Sequence, residues 1–170
     1  MQATDLVNSP SPTSVELVER LVQALGAASV IVGDAAAERP TTDWSGTASS
    51  KPTVVVLPRD TQQVGEAMRI CSIYGTPVVV QGGLTGLAGG ANPMPGEVVL
   101  SMARLNRIEQ FEEIAGTALV QAGVTLETLQ TLALEHGWFF PLDLGARGSC
   151  QLGGNAATNA GGLMRFFSFR

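Results

Sequence analysis

Residues 53–90 read TVVVLPRDTQQVGEAMRICSIYGTPVVVQGGLTGLAGG, and the order of patterns in that stretch decides the fold. Thr53 to Leu57 is a short, β-branched apolar run of the kind that forms a buried strand. Asp60 or Thr61 can cap a helix whose apolar face uses Val64, Ala67, Met68, Cys71 and Ile73. Gly75-Thr76-Pro77 then turns the chain into a second strand, Val78-Val79-Val80. Directly after that strand come five glycines, Gly82, Gly83, Gly86, Gly89 and Gly90. The core of the chain is therefore a strand, helix, strand unit that runs into a glycine loop.

Outward from this unit, Ser14 to Val22 has apolar residues at helical spacing and Gly26 is a plausible stop. From Val32 to Pro52 the chain is polar and rich in Pro, Thr and Ser, which predicts a long surface segment. Residues 1–52 are accordingly set apart as a helix and an extended segment, and residues 53–163 as the main body. Glu97–Leu100 and Leu119–Ala122 read as further strands. Thr125 starts a second helix through Leu126, Leu129, Leu132 and Leu134, ending at His136-Gly137. The alternation argues for an α+β domain.

Composition narrows the function classes. A chain of 170 residues that is 45% hydrophobic can bury a core of one domain. The net charge of −5 and the single lysine, Lys51, oppose nucleic-acid binding. No apolar stretch approaches the roughly 20 residues that cross a bilayer, so no membrane insertion is expected. Met1 to Glu19 lacks the basic start and apolar run of a secretory signal. Cys71 and Cys150 stand far apart with no CxxC spacing, which suggests neither a zinc site nor a redox pair and suits a reducing compartment. The expectation is a cytoplasmic protein with no metal.

Glycine lets main-chain amides approach a ligand with no Cβ in the way. The loop is neither a Walker loop, which needs GxxxxGK[ST], nor a GxGxxG dinucleotide fingerprint. A second stretch, GARGSCQLGGNAATNAGG at residues 145–162, brings the two loops to 11 of the 20 glycines. Residues 81–96 carry no charged side chain and residues 144–164 carry only Arg147. Two glycine-dense loops that are neutral to positive inside an acidic chain fit an anionic ligand held by backbone amides. Asn155, Thr158 and Asn159 add neutral hydrogen-bonding groups. The two loops are expected to face each other across one cleft; tight connections without a ligand are the alternative.

The stretch quoted above, followed by PLDLGARGSCQLGGNAATNAGGL at residues 141–163, resembles the FAD-binding domain of the vanillyl-alcohol oxidase type (PCMH-type) flavoproteins. Within them it is most similar to the D-2-hydroxy-acid dehydrogenases, the group of D-lactate dehydrogenase, D-2-hydroxyglutarate dehydrogenase and the glycolate oxidase flavin subunit. The match runs from about Asp43-Trp44 to Leu163. The resemblance implies the N-terminal portion of a domain of two α+β subdomains with FAD between them. It implies that Gly82, Gly83, Leu84, Thr85, Gly86, Leu87, Gly89 and Gly90 wrap the pyrophosphate. Pro141, Leu142, Gly148, Ser149, Cys150, Gly153, Gly154 and Asn155 would line the cofactor from the other side, with Thr158, Asn159 and Gly161 continuing towards the isoalloxazine ring.

Two departures bound what carries over. Many relatives attach the flavin through a histidine in the first loop, where this chain has Leu84, Thr85 and Gly86, so bound FAD is expected to be non-covalent. The family continues past Gly161-Gly162-Leu163 into a second half and a substrate domain, whereas this chain reads MRFFSFR, an atypical tail at 164–170. The sequence therefore reads as a truncated family member with no catalytic residue of its own. A small 2-hydroxy acid would be its substrate only with the missing domain supplied, and Phe166, Phe167 and Phe169 would promote self-association. The readings that stand are an FAD-binding oxidoreductase domain, an inert fragment that binds FAD weakly or not at all, and a transferase subunit for another phosphate ligand. Trp44 and Trp138 read as packing residues, His136 as a helix C-cap, Glu109, Glu112 and Glu113 as a solvated face, and Arg104 and Arg107 as surface residues of a turn.

Overall fold

The computed structural model describes residues 12–162; the tail 164–170 and its expected self-association lie outside the described residues. Helix α1 (Pro12–Leu25) is followed by a short 3₁₀ turn, strand β1 (Val30–Val32) and a single helical turn α2 (Asp34–Ala37). Strand β2 (Val54–Val56), helix α3 (Thr61–Ile73), strand β3 (Val78–Gln81) and strand β4 (Val98–Ser101) complete the first layer. A hairpin of β5 (Ile108–Glu112) and β6 (Thr117–Val120), then α4 (Leu126–Glu135) and α5 (Leu152–Ala157), form the second part. Mixed helices and strands in this order make an α+β fold, as the sequence predicts.

The four-stranded sheet has the order β1-β2-β4-β3, with β1 antiparallel and the other three parallel. β4 enters between β2 and β3, so it is flanked by strands on both sides. Its residues are all buried, as are those of β2, which is why both read as unbroken apolar runs instead of alternating ones. Val54, Val56, Val98 and Leu100 face α1 and α3, where they meet Leu21, Ile70 and Cys71. Val55, Val79 and Val99 form the opposite face with Leu57 and Ala36. β1 pairs with β2 and α1 packs on α3, so residues from before position 52 belong to the same core as the rest.

Local signals place the starts of α3 and α4. The Asp60 side chain accepts from the Gln63 amide at 2.8 Å, and the Thr125 hydroxyl caps α4 through the Thr128 amide. The apolar faces are narrower than expected. α3 buries Ala67, Ile70 and Cys71, one stripe at helical spacing, while Met68 and Ile73 are exposed because neither falls on that series. Leu134 is likewise exposed, and Leu126, Leu129 and Ala133 are the buried stripe of α4.

β5 was not legible as a strand. Its only apolar residues, Ile108 and Phe111, are three apart, and the register shifts between Ile108 and Gln110. A bulge inserts one residue and so breaks the period of two. The hairpin is tied to the end of α4: His136, the C-cap, bonds the Glu113 carboxylate at 2.8 Å and lies 4.7 Å from the Phe111 ring. Trp138 donates its indole N–H to the Glu113 carbonyl. No helix among the described residues is long and apolar enough to cross a membrane.

The placement of α1 in the core has a measurable consequence. Leu21 is fully buried against the sheet, so Leu21→Ala is expected to lower unfolding free energy by about 2–5 kcal/mol in urea titration. Ile73→Ala, on the exposed side of α3, should stay within about 0.5 kcal/mol of wild type. Equal effects of the two substitutions would contradict a core that includes α1.

Candidate functional site

The first glycine loop leaves the carboxyl end of β3, the end of a parallel strand where open sheets hold their ligands. Its two ends are tied by Gln81, a buried residue whose carboxamide donates to the Ala91 carbonyl at 2.9 Å and the Thr41 carbonyl at 3.3 Å. Behind the loop runs the segment around Asp43. The buried Asp43 carboxylate accepts from the Gly89 amide at 3.0 Å and from both the hydroxyl and the amide of Ser45. Its own amide donates to the buried Asn92 side chain at 2.7 Å, and Asn92 donates to the Thr47 hydroxyl at 2.8 Å. The Trp44 amide donates to the Gly86 carbonyl at 2.9 Å. The Ser45 hydroxyl above all, with burial opposing it and the Ser45 and Gly89 amides and Asn92 helping, holds the Asp43 carboxyl below its ordinary range.

None of Asp43, Ser45, Thr47 and Asn92 is among the residues expected at the site. Asp, Ser and Thr commonly bond nearby backbone, yet Gly89 lies 46 positions from Asp43, and a separation of that size leaves no periodic trace. Trp44, expected to pack, is 65% exposed beside the loop, to which its backbone amide is bonded.

The anchoring uses the loop's carbonyls and the Gly89 amide. The amides of residues 82–88 donate to no group among the described residues. Such a run of free N–H groups is a concentration of partial positive charge. It lies in a stretch with no charged side chain, with Gly82, Gly83, Leu84 and Thr85 half-buried at the base and Gly86, Leu87 and Gly90 exposed at the tip. Leu84 holds a φ of 56°, a left-handed conformation that costs a branched side chain energy and that the surrounding structure must hold in place.

The second stretch is organised differently. Residues 145–149 form turns, but Gly153, Gly154 and Asn155 lie inside α5, where a loop was expected. The Gly153 amide donates to the Ala122 carbonyl at 2.8 Å, and the Ser149 and Cys150 amides both donate to Ala146. The first loop thus presents an unbroken run of free amides, whereas in the second Ser149, Cys150 and Gly153 spend theirs within the protein and the Gly148 and Gly154 amides have no partner among the described residues. Asn155 donates to the buried Cys150 sulfur at 3.5 Å and the Thr158 hydroxyl to the Gly154 carbonyl at 2.8 Å. Asn159, with a φ of 50°, ends the segment. Ahead of it, Pro141 and Leu142 are half-buried, and the Leu142 carbonyl accepts from Gln130 at 2.6 Å.

The two stretches meet at their bases. A Cβ on Gly83 would run into the Ser149 carbonyl oxygen and lie 3.1 Å from the Cys150 Cα. Beside this contact, Gly82 lies against the Gln151 side chain, whose buried Oε1 has no partner among the described residues. On the far side, an apolar cleft of about 800 Å³ between the hairpin, α4 and α5 gathers Leu142, Gly153, Asn155, Asn159 and Gly161. The first loop is not part of its lining, and Gly148 and Ser149 are exposed outside it. Free amides, a glycine seam that a side chain would fill and an unpaired buried acceptor together fit a phosphate-bearing cofactor that also carries hydroxyl groups.

Two substitutions in one loop separate close approach from simple flexibility. Gly83→Ala sets a methyl group on the Ser149 carbonyl and is expected to cost about 1–3 kcal/mol in stability by urea titration. Gly90→Ala meets open space and should change stability by less than about 0.5 kcal/mol. Equal tolerance at both positions would show that the seam is not packed.

Comparison with known proteins agrees with this geometry. The family model for the FAD binding domain matches residues 52–168. The chain is 44% identical over 135 residues to a mitochondrial D-2-hydroxyglutarate dehydrogenase of Bos taurus, covering 78% of this chain and 25% of that protein. It is 46% identical over 121 residues to a mitochondrial protein of Schizosaccharomyces pombe assigned as a D-lactate dehydrogenase, covering 71% of this chain and 23% of the relative. The chain thus spans about a quarter of the length of these relatives. Among solved structures, alkyldihydroxyacetonephosphate synthase superposes with a TM-score of 0.79 at 21% identity over 95% of this chain and 35% of that one, a likeness of fold. The mitochondrial relatives overturn the cytoplasmic expectation. That expectation rested on unpaired cysteines and a non-secretory start, which oppose export and suit the inside of a mitochondrion equally well. Sequence, fold and loop geometry agree: the chain belongs to the FAD binding domain family, related to the D-2-hydroxyglutarate and D-lactate dehydrogenases.

Proposed function

We propose that this chain is the cofactor-holding part of a dehydrogenase of D-2-hydroxy acids and that it binds FAD without a covalent link. The observation that carries the reading is the run of free amides at residues 82–88, set in an uncharged loop and held open from behind by Asp43 and Asn92. These amides hold the pyrophosphate, which needs several donors converging on its oxygens and no opposing carboxylate in front of them. Asp43 sits on the rear of the loop, bonded to Gly89, so its charge is already compensated by donors. Leu142, Gly153, Asn155, Asn159 and Gly161 supply the mostly apolar wall on the other side; Pro141, Gly148, Ser149, Cys150, Gly154 and Thr158, which are outside the lining of that cleft, are proposed as further cofactor contacts on the family resemblance.

FAD, when bound, supplies the hydride acceptor for oxidation at the α-carbon of a hydroxy acid, and the chain's own residues supply binding, orientation and a dry wall. No residue of this chain is assigned a catalytic role, so turnover of a small 2-hydroxy acid depends on groups elsewhere in a protein of the relatives' length. The link is non-covalent because residues 81–96 contain no histidine, cysteine or tyrosine. Cys150, the nearest thiol, is buried with Asn155 on its sulfur.

The purified 170-residue chain, mixed with FAD and desalted, is expected to retain flavin, and acid precipitation should release all of it into the supernatant. A yellow pellet would contradict the non-covalent assignment. Complete loss of flavin on desalting, with no fluorescence change on adding FAD, would leave the inert-fragment reading in its place.

A further inference from the structure

Gln151 sits where the two glycine stretches touch, and its surroundings fix its side chain. The backbone on both sides of it is clamped to the start of α4: the Leu126 amide donates to the Cys150 carbonyl at 3.1 Å and the Leu152 amide to the Val124 carbonyl at 2.9 Å. Thr125 and Gln151 form an antiparallel bridge between those bonds. With the backbone held, the side chain lies along the face of Gly82. A Cβ on that glycine would be 3.3 Å from Oε1, 3.7 Å from the Gln151 Cβ and 3.9 Å from Cδ. Gly82 thereby gives the carboxamide its place at the base of the loop.

The oxygen in that place has no donor. Oε1 is buried and, among the described residues, it is the one side-chain polar atom so left. Buried acceptors are almost always paired, and one left unpaired is costly. The missing partner must be a donor, so it is not a phosphate oxygen. The free amides of residues 82–88 begin at Gly82 itself, so the acceptor and the anion-holding amides adjoin.

Resting on the reading of this loop as the FAD site, we infer that Gln151 is a cofactor-contacting residue whose Oε1 accepts a hydrogen bond from a sugar hydroxyl next to the pyrophosphate. The amides bind the charged centre of the cofactor and Gln151 reads the neutral hydroxyl chemistry beside it. FAD offers such hydroxyls on its ribityl chain and on its ribose.

The test uses the full 170-residue chain and Gln151→Met, which keeps the length of the side chain and removes the acceptor. Affinities for FAD, FMN and ADP are measured by fluorescence or calorimetry, and the Tm of each protein is measured without ligand. Removing an unpaired buried acceptor is expected to leave the ligand-free Tm unchanged or higher, while affinity for FAD falls about tenfold. A parallel loss with FMN identifies a ribityl hydroxyl and a parallel loss with ADP identifies the ribose. Equal FAD affinity in the two proteins overturns the inference and leaves the FAD reading intact. A Tm that falls together with affinity also overturns it, since that is the mark of a packing role. Failure of the wild-type chain to bind any of the three ligands overturns the FAD reading and this inference together.

Discussion

The constraint on which the site depends is the division of hydrogen bonds within the first glycine loop. A loop of this composition has little side-chain mass to hold it, so its shape has to be set from outside. Asp43 and Asn92 do this from the rear, through the Gly89 amide, the Asp43 amide and the Ser45–Thr47 turn. Gln81 closes the loop at its base. Because these anchors take carbonyls and a single loop amide, the amides of residues 82–88 are left for a ligand. A loop fixed through its amides would have the same shape and no anion site.

The sheet positions this device. β4 runs between β2 and β3, which buries both faces of the central strands and makes the carboxyl end of β3 a rigid point of departure for the loop. The second stretch then abuts the first at Gly83 and Ser149, backed by α5 and the segment 122–126. The two stretches resemble each other in composition and differ in physical role. One exposes an unbroken run of backbone donors, while the other spends those of Ser149, Cys150 and Gly153 on Ala146 and Ala122 and offers a wall.

What was legible in the sequence was local. The Asp60 and Thr125 caps, the runs at Val54–Val56 and Val98–Leu100 and the density of glycine each report on neighbours in the chain. α5 was hidden because LGGNAA has two poor helix formers. Yet Gly153 is there for packing, since a Cβ at that position would lie 2.6 Å from the Ala122 Cβ, and tertiary contact overrides propensity. β5 was hidden by its bulge. The Asp43–Gly89 and Asp43–Asn92 bonds were hidden because long-range pairing between polar residues has no period. The expected site residues rest on shared glycine and motif content, whereas the contacts that Asp43, Asn92 and Gln151 make with the first loop and its flanks are visible only in three dimensions.

The central claim is that the first loop, and not the second, receives the anion. The direct measurement is an amide-resolved NMR titration of the chain with inorganic pyrophosphate and then with FAD. The account predicts shift changes concentrated at the amides of residues 82–88 with pyrophosphate, and little change at Ser149, Cys150 and Gly153, whose amides are already bonded within the protein. Shifts centred on residues 145–154 with the first loop unmoved would contradict it.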